Sequence, residues 1–286
     1  MRRRQNADTS ASPGRLCRGF APLGAVVAVA AALLAGCGRP QPYVSDTRLS
    51  RGLVVVLPGI EGRSPFNEAI CEGLNDGGVD WAIELHDWTS AWLGPIGNLR
   101  AEQRNRRKAS ELADRVQRYR MAYPGRPVVL VGQSGGGAIA VWTIEALPPG
   151  QNVKGAVLLA AAMSPQYMLD EALRRAEEGL VSFHSQRDWL FLGVGTATQG
   201  TMDRQFLSSA GRVGFNRPDS PLRQRLYDKL YEIAWQPSMA QTGYEGTHLS
   251  SGASRFVAAY VAPLVLAHGW DADLIERVQA PRGAPE

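Results

Sequence analysis

The sequence contains few cysteines, and their positions exclude a disulfide framework. Only Cys17, Cys37 and Cys71 occur among 286 residues. Cys17 precedes an N-terminal apolar stretch and Cys37 directly follows it, in a region described below as an export signal with a lipidation site. Cys71 therefore stands alone in the mature domain and cannot form an intramolecular disulfide. Cysteine and histidine also do not occur at the paired spacings that bind zinc. We therefore expect no disulfide and no metal site, and we interpret Cys71 as a small core residue.

The chain also lacks an excess of either charge once its N-terminal region is set aside. The formal net charge is +4, from 31 basic and 27 acidic residues. Residues 1–36 contain five arginines and one aspartate, so 26 basic and 26 acidic residues remain after them. A neutral domain has no electrostatic footprint for DNA or RNA. We expect no nucleic-acid partner.

The N-terminal region has the pattern of an export signal. Five arginines precede an apolar stretch from Ala21 to Ala35 that is rich in Ala, Val and Leu and short for a membrane span. The segment Leu34-Ala35-Gly36-Cys37 resembles the bacterial lipobox, in which the cysteine is lipidated and becomes the new N-terminus. The alternative is a plain signal peptide or membrane anchor with a chance cysteine. Gly38 replaces the aspartate that retains lipoproteins in the inner membrane, so the resemblance favours outer-membrane attachment.

These patterns divide the chain into four parts. We predict a lipoprotein signal peptide over residues 1–36, a lipidated tether over 37–50, one domain over 51–270 and a C-terminal tail over 271–286. Strands alternate with helices in the domain, which predicts a parallel sheet covered on both faces. Strands are expected at 53–57, 80–85, 128–131, 153–161, 180–185 and 230–235, and helices at 65–75, 99–123, 136–147, 166–178, 221–229 and 254–268.

A glycine cluster after the third predicted strand admits three interpretations. The strand is Val128 to Val131, and Gly132-Gln133-Ser134-Gly135-Gly136-Gly137 follows it. A phosphate loop of the Walker type needs a lysine, and none occurs between Val128 and Gln151. A dinucleotide-binding loop needs a third glycine where this chain has Ile139 or Ala140. The remaining interpretations are a nucleophile turn and a glycine-rich loop.

The pattern Gly132-x-Ser134-x-Gly136 favours the nucleophile turn. A buried strand precedes it and a helix of small residues follows, as such a turn requires. The serine then sits on a strained bend, and the flanking glycines leave room for the neighbouring backbone.

A nucleophilic serine needs a base and an acid, which in this architecture follow it in the order acid, then histidine. His248 lies between the sixth strand and the last helix, so it is the expected base, with His268 in reserve. Asp188 follows the fifth strand and is the expected acid, with Asp203 as the alternative. Each aspartate could instead be an ordinary loop carboxylate.

The oxyanion formed by such a serine needs backbone N–H donors. One is expected from Gly135, directly after the serine, and the other from the loop after the first strand. That loop reads Leu57-Pro58-Gly59-Ile60-Glu61-Gly62. Proline has no N–H, so the amide of Ile60 is the expected second donor.

The ordered set of these motifs resembles the α/β-hydrolase family. The resemblance covers most of residues 50–268 and implies a Ser-His-Asp hydrolase of esters, thioesters or related acyl compounds. It implies an acyl-enzyme intermediate and no metal or organic cofactor. Only about thirteen tether residues precede the first core strand, which leaves no room for the family's first two antiparallel strands. We expect a trimmed, mostly parallel sheet of about six strands.

Tryptophans near the strand ends are candidates for a substrate pocket. Trp88, Trp92 and Trp189 are expected to line an acyl-binding pocket, with ordinary loop packing as the alternative. The leading functional hypothesis is an exported, lipid-anchored ester hydrolase of the cell envelope that acts on a small acyl ester. Two alternatives remain open at this stage: a non-catalytic lipoprotein that binds a ligand or partner, and an acyltransferase. The sequence predicts no protein partner.

Overall fold

The computed structural model describes residues 41–188, 200–205 and 208–280, whose centre is a six-stranded sheet. The strands are β1 Leu53–Leu57, β2 Ala82–Leu85, β3 Val128–Gln133, β4 Val153–Leu159, β5 Ala176–His184 and β6 Leu230–Ala234. Their order is β2-β1-β3-β4-β5-β6, and every neighbouring pair is parallel. This confirms the expected α/β architecture with a trimmed sheet.

The central strands are buried on both faces, which explains their continuous apolar sequences. All five residues of β1 are buried. Alternate side chains enter opposite cores: Val54 and Val56 pack in one, and Leu53, Val55 and Leu57 pack in the other. Strand alternation thus divides one apolar run between two layers of helices.

Helices cover both faces of the sheet. The main ones are Pro65–Asp76, Gly94–Arg100, Glu102–Ala122, Gly135–Glu145, Asp170–Arg175, Pro221–Tyr227 and Ala272–Gln279, with shorter helices at Asp46–Leu49 and Ala210–Val213. The long basic segment expected at 99–123 is divided at Ala101, whose backbone leaves the helical region at φ −83° and ψ 50°. The side of the helix that faces the core includes Leu112, Val116 and Tyr119, which are buried.

The segment between β4 and β5 differs from the sequence prediction. A helix was expected over 166–178, but the helix spans only Asp170–Arg175, and β5 begins at Ala176. Ala176 pairs with Val153, and Gly179 pairs with Gly155 across the sheet. Strand pairing with β4 overrides the helical preference of a charged segment, because tertiary context outweighs local propensity.

The C-terminal part contains two departures from regular or expected structure. The helix expected over 254–268 has a π-helical turn at Val257–Val261 between the α-helical pieces Ser254–Phe256 and Ala262–Leu266. The expected tail after residue 270 contains the helix Ala272–Gln279, which Asp271 caps by accepting a hydrogen bond from the Leu274 amide. The tail prediction is corrected there, because Leu274, Ile275 and Val278 give this segment an apolar face that is buried.

The predicted signal peptide, Cys37 and the first part of the tether lie outside the described residues. Within residues 41–188, 200–205 and 208–280, no helix has the length and apolarity needed to cross a membrane.

Candidate active site

Ser134 occupies a strained turn at the carboxyl end of β3. Its φ of 55° and ψ of −120° are rare for a residue with a side chain. The turn is held by backbone hydrogen bonds on both sides. The Ser134 amide donates to the Leu159 carbonyl at 2.9 Å, and the Ala162 amide donates to the Ser134 carbonyl at 3.0 Å. The end of β4 therefore fixes the conformation in which the serine is presented.

The glycines around Ser134 are required by close backbone approach. A Cβ at Gly132 would collide with the carbonyl of Gly136, and a Cβ at Gly136 would collide with the carbonyls of Leu57 and Pro58. At Gly137 an added Cβ would lie 2.9 Å from the Ala161 Cβ. The cluster lets the helix Gly135–Glu145 start directly against the ends of β1 and β4.

The structure brings His248 and Asp188 together. His248 Nδ1 lies 3.0 Å from Asp188 Oδ2 and 3.1 Å from Asp188 Oδ1, and both residues are buried. Asp188 comes just after β5, in a turn where its amide donates to the Ser185 carbonyl at 2.9 Å. A buried carboxylate on Nδ1 holds the imidazole in the tautomer whose Nε2 is free to accept a proton.

The backbone of His248 is tied to the strand that carries the serine. Its carbonyl accepts hydrogen bonds from Gln133 Nε2 at 3.3 Å and from Ser251 Oγ at 2.8 Å. Gln133 directly precedes Ser134, so this contact joins the histidine loop to the end of β3. Ser134 itself is 4% exposed, which places all three candidate residues within the buried edge of the sheet.

The pKa of Tyr244 is affected by burial and by the negative charge of Asp188. Its ring is buried, and burial together with the nearby negative charge of Asp188 raises the pKa of its hydroxyl above the ordinary value. The phenol therefore stays neutral beside the aspartate.

The loop after β1 lies against Gly135. A Cβ placed on Gly135 would lie 2.8 Å from Ile60 Cγ2 and 3.2 Å from Trp88 Cζ2, so these side chains flank it. Gly135 is the first residue of its helix, where an amide has no acceptor within the helix. The Ile60 side chain therefore lies beside Gly135, the other residue expected to donate an amide.

Two residues hold the loop after β1 in place. Trp88 Nε1 donates to the Pro58 carbonyl at 2.8 Å. Asn98 Nδ2 donates to the Ile60 carbonyl at 3.1 Å, while its Oδ1 accepts from the Ser90 amide at 3.0 Å. Sequence reasoning missed Asn98 and Ser251, since neither belongs to a recognisable motif. Both are buried polar residues, a property that only the structure reveals.

The two reserve residues lie in other environments. Asp203 Oδ1 accepts from the Ser164 amide at 2.9 Å and from Thr201 Oγ1 at 2.6 Å, so it stabilises the loop after β4. His268 is exposed near the amino end of the sheet, beside Arg126 and Val128. Over the described residues, no group of three or more His, Cys, Asp or Glu side chains could hold a metal ion.

The three pocket tryptophans have different positions. Trp88 is 1% exposed and supports the loop after β1, whereas Trp92 is 98% exposed. Trp189 lies outside the described residues. A cavity of about 650 Å³ has Asp203 in its wall, and none of the three tryptophans is among its lining residues in the described part of the chain. It is lined by Glu102, Arg106, Ser164, Gln166, Tyr167, Met168, Asp203 and Gln205, which are mostly polar.

Several solved structures are similar to this chain at low sequence identity. Lipase B from Aspergillus fumigatus matches with a TM-score of 0.51 and 13% identity, over 85% of this chain and 60% of the lipase. The protein TT1662 from Thermus thermophilus matches at 0.45 and 18%, over 76% and 90% of the two chains. Esterase PE8 matches at 0.42 and 14%, over 72% and 91%. The lipase comparison shows the fold alone, and this chain spans 60% of that protein.

Sequence comparison identifies the family. A search of curated proteins finds no match. The family model described as serine aminopeptidase, S33, matches residues 49–280, which include the whole sheet and every candidate site residue named from the described region. The chain therefore belongs to the serine aminopeptidase S33 family and has the α/β-hydrolase fold.

Proposed function

We propose that the protein hydrolyses carboxylic esters or thioesters, with Ser134 as nucleophile, His248 as base and Asp188 as acid. The observation that carries this proposal is the contact of His248 Nδ1 with both oxygens of buried Asp188, at 3.0 and 3.1 Å. The strained turn of Ser134 supports it, because such turns project a serine from the carboxyl edge of the sheet.

The reaction proceeds in two halves. His248 Nε2 takes the hydroxyl proton as Ser134 Oγ attacks the acyl carbon, and His248 then protonates the departing alcohol or thiol. An acyl-enzyme remains. Water gives a proton to His248 and attacks the acyl carbon. The same proton then passes from His248 to Ser134 Oγ as the carboxylic acid product leaves. Asp188 orients the imidazole throughout and stabilises its positive charge.

The oxyanion of each tetrahedral intermediate is assigned to the amides of Gly135 and Ile60. The position of the Ile60 side chain beside Gly135 supports this assignment, as does the start of the helix Gly135–Glu145, whose N-terminus favours negative charge. Asn98 and Trp88 act as positioning residues, since they hold the carbonyls of Ile60 and Pro58.

We also propose that Cys37 is lipidated and anchors the enzyme in a bacterial envelope, with the outer membrane favoured. The lipobox-like segment Leu34-Ala35-Gly36-Cys37 behind an apolar stretch supports this. Metabolic labelling with a fatty acid tests it. Label that is lost in Cys37→Ser supports the anchor, and label that persists in Cys37→Ser contradicts it.

A fluorophosphonate probe tests the nucleophile. The full chain should react stoichiometrically, the Ser134→Ala variant should not react, and His248→Ala should react far more slowly. Ser182→Ala is a matched control, because Ser182 is buried and its Oγ has no hydrogen-bond partner among the described residues. His268→Ala is the control for the histidine, since His268 is exposed.

The alternatives give different results in the same assay. A folded protein that does not react at Ser134 is a binding protein on this fold, and the hydrolase proposal fails. Product analysis with an added alcohol acceptor separates the remaining classes. Transfer of the acyl group to the acceptor in preference to water indicates an acyltransferase. Cleavage of amino-acid anilides in preference to esters indicates a peptidase, the activity named in the family description.

A further inference from the structure

Four large apolar side chains are exposed in the two segments that follow β1 and β2 at one edge of the sheet. Trp92, Leu93 and Ile96 lie within five residues of one another and are 98%, 44% and 47% exposed. Phe66 is 48% exposed at the start of the helix Pro65–Asp76. We call these four residues the apolar rim. Clustered apolar exposure of this kind marks a surface that contacts something other than water.

The apolar rim lies on the same edge of the sheet as the candidate active site. Phe66 follows the carboxyl end of β1, and the other three follow the carboxyl end of β2. The two loops are joined at the candidate oxyanion site, because Asn98 bonds both the Ile60 carbonyl and the Ser90 amide. Carboxyl ends of parallel strands share one edge, so the rim and Ser134 face the same side of the molecule.

The first described residue is attached at this edge. Gln41 forms two hydrogen bonds with the backbone of Leu85, the last residue of β2, at 2.9 and 3.1 Å. Cys37 precedes Gln41 by four residues, which span about 14 Å at full extension. A lipid on Cys37 would therefore hold the carboxyl end of β2 close to the bilayer, and Trp92 follows that end by only seven residues.

We propose that the apolar rim is a membrane-docking surface that contacts the bilayer and turns the candidate active site toward the lipid. This inference rests on the proposed lipid anchor at Cys37. An exposed tryptophan beside aliphatic side chains suits the interface between headgroups and acyl chains. Insertion of the rim beside the anchor gives the second contact that fixes one orientation of the protein on the membrane.

The charged residues near the apolar rim indicate that the rim binds the membrane through apolar contacts and not through attraction to anionic lipids. Glu61 and Arg63 lie in the loop after β1, and Asp87 lies in the loop after β2. Glu68, in the helix Pro65–Asp76, pairs with Arg63 at 2.8 Å. Such a surface has no excess of positive charge for anionic lipids. Docking should therefore persist at high salt, which screens exposed charges.

Site-specific fluorescence on vesicles tests the proposal. The mature lipidated chain keeps Cys71 as its free thiol, and that thiol is buried with its pKa raised by burial to about 12. An environment-sensitive maleimide dye will therefore label an added cysteine selectively. We would place it at Trp92→Cys or Ile96→Cys, with Leu222→Cys as the matched control. Leu222 is 84% exposed and lies in the helix Pro221–Tyr227, which leads into the amino end of β6, whereas the rim follows the carboxyl ends of β1 and β2.

The labelled proteins are reconstituted in vesicles of phosphatidylethanolamine and phosphatidylglycerol that contain a spin-labelled lipid. The dye at positions 92 and 96 should shift to shorter wavelength and lose fluorescence to the spin label, at low and at high salt. The dye at position 222 should do neither. Mass spectrometry records whether Cys37 is acylated, and thermal melting checks that each variant is folded.

The outcomes separate the docking surface from the anchor and from the hydrolase. Acylated protein with equal, unquenched fluorescence at positions 92, 96 and 222 overturns the docking surface and leaves the anchor intact. Dye at position 92 that is shielded without vesicles, in proportion to protein concentration, assigns the rim to a second copy of the chain and also overturns it. Protein without acylation at Cys37 removes the anchor and the proposal with it. None of these readouts depends on Ser134.

Discussion

Asn98 joins two loops of the candidate site, since its side chain donates to the Ile60 carbonyl at 3.1 Å and accepts from the Ser90 amide at 3.0 Å. Asn98 is buried, and its backbone carbonyl accepts a hydrogen bond from Asn105 Nδ2 at 2.6 Å. The carbonyl of Ile60 is thus held by a residue outside the loop to which it belongs. This arrangement gives the first prediction.

Asn98→Ala should lower kcat by about 10- to 100-fold with little change in KM, because a displaced oxyanion donor acts on the transition state. Asn98→Asp keeps the acceptor for Ser90 but removes the donor to Ile60, so it should show the same loss of kcat. Steady-state kinetics on a soluble ester, with melting curves for both variants, provide the measurement. An unchanged kcat in a folded variant would show that Ile60 is not a donor.

Asp188→Asn should lower kcat/KM on the order of 10³- to 10⁴-fold, because an amide cannot hold the imidazole in the required tautomer. Asp203→Asn is the matched control. Asp203 bonds Ser164 and Thr201, so its replacement should alter stability more than turnover. Kinetics and melting of both variants decide between the two acids. A large loss of kcat/KM in Asp203→Asn, with little loss in Asp188→Asn, would make Asp203 the acid that orients His248.

Gly136→Ala should destabilise the protein by more than about 2 kcal/mol, because the new methyl group meets the carbonyls of Leu57 and Pro58. Backbone atoms cannot yield as a flexible side chain can. Gly269→Ala is the control, since a Cβ there would come only to 3.4 Å from the end of the Glu178 side chain. Urea unfolding measures both, and equal stability of the two variants would contradict the packing described at Ser134.

Stability should fall as the pH rises from about 4.5 to 7, and Glu145 should contribute to this fall. Burial raises the pKa of Glu145 to about 7, against the ordinary value of 4.5, although Tyr167 and Arg106 oppose the shift. Between pH 4.5 and 7 this carboxyl is ionised in the unfolded chain but still protonated in the folded protein. The free energy of unfolding therefore falls over this range, by an amount on the order of 2–3 kcal/mol. This loss of stability is absent below pH 4.5, the ordinary pKa, and complete above pH 7, the pKa in the folded protein.

Glu145→Gln should remove this part of the pH dependence and keep an acceptor for the Tyr167 hydroxyl, which bonds Glu145 at 2.8 Å. Glu111→Gln is a suitable control, because Glu111 is an exposed surface residue paired with Lys108. Urea unfolding at a series of pH values between 4 and 8 provides the test. Identical pH profiles for Glu145→Gln and the native protein would contradict it.

Much of the fold was predictable because its signals are local. The β-branched run Leu53–Leu57 could only be a strand buried on both faces, and the observed β1 has the predicted bounds. The alternation of strands and helices is also visible in the sequence itself, and it predicted the parallel sheet. The helix expected over 166–178 was wrong at its end, because pairing of Ala176 with Val153 is a contact between distant parts of the chain.

The sequence by itself predicted the kind of turn at Ser134, the order of the candidate acid and the candidate base after it, and the need for glycine at 132 and 136. These properties depend on neighbouring residues and on chain order. Tertiary structure alone decided that Asp188 faces His248 while Asp203 faces Ser164, since the two aspartates lie on similar loops in the sequence. It also decided that Asn98 supports Ile60 and that Trp92 is exposed while Trp88 is buried. Burial and long-range hydrogen bonds arise only when distant loops meet at one edge of the sheet.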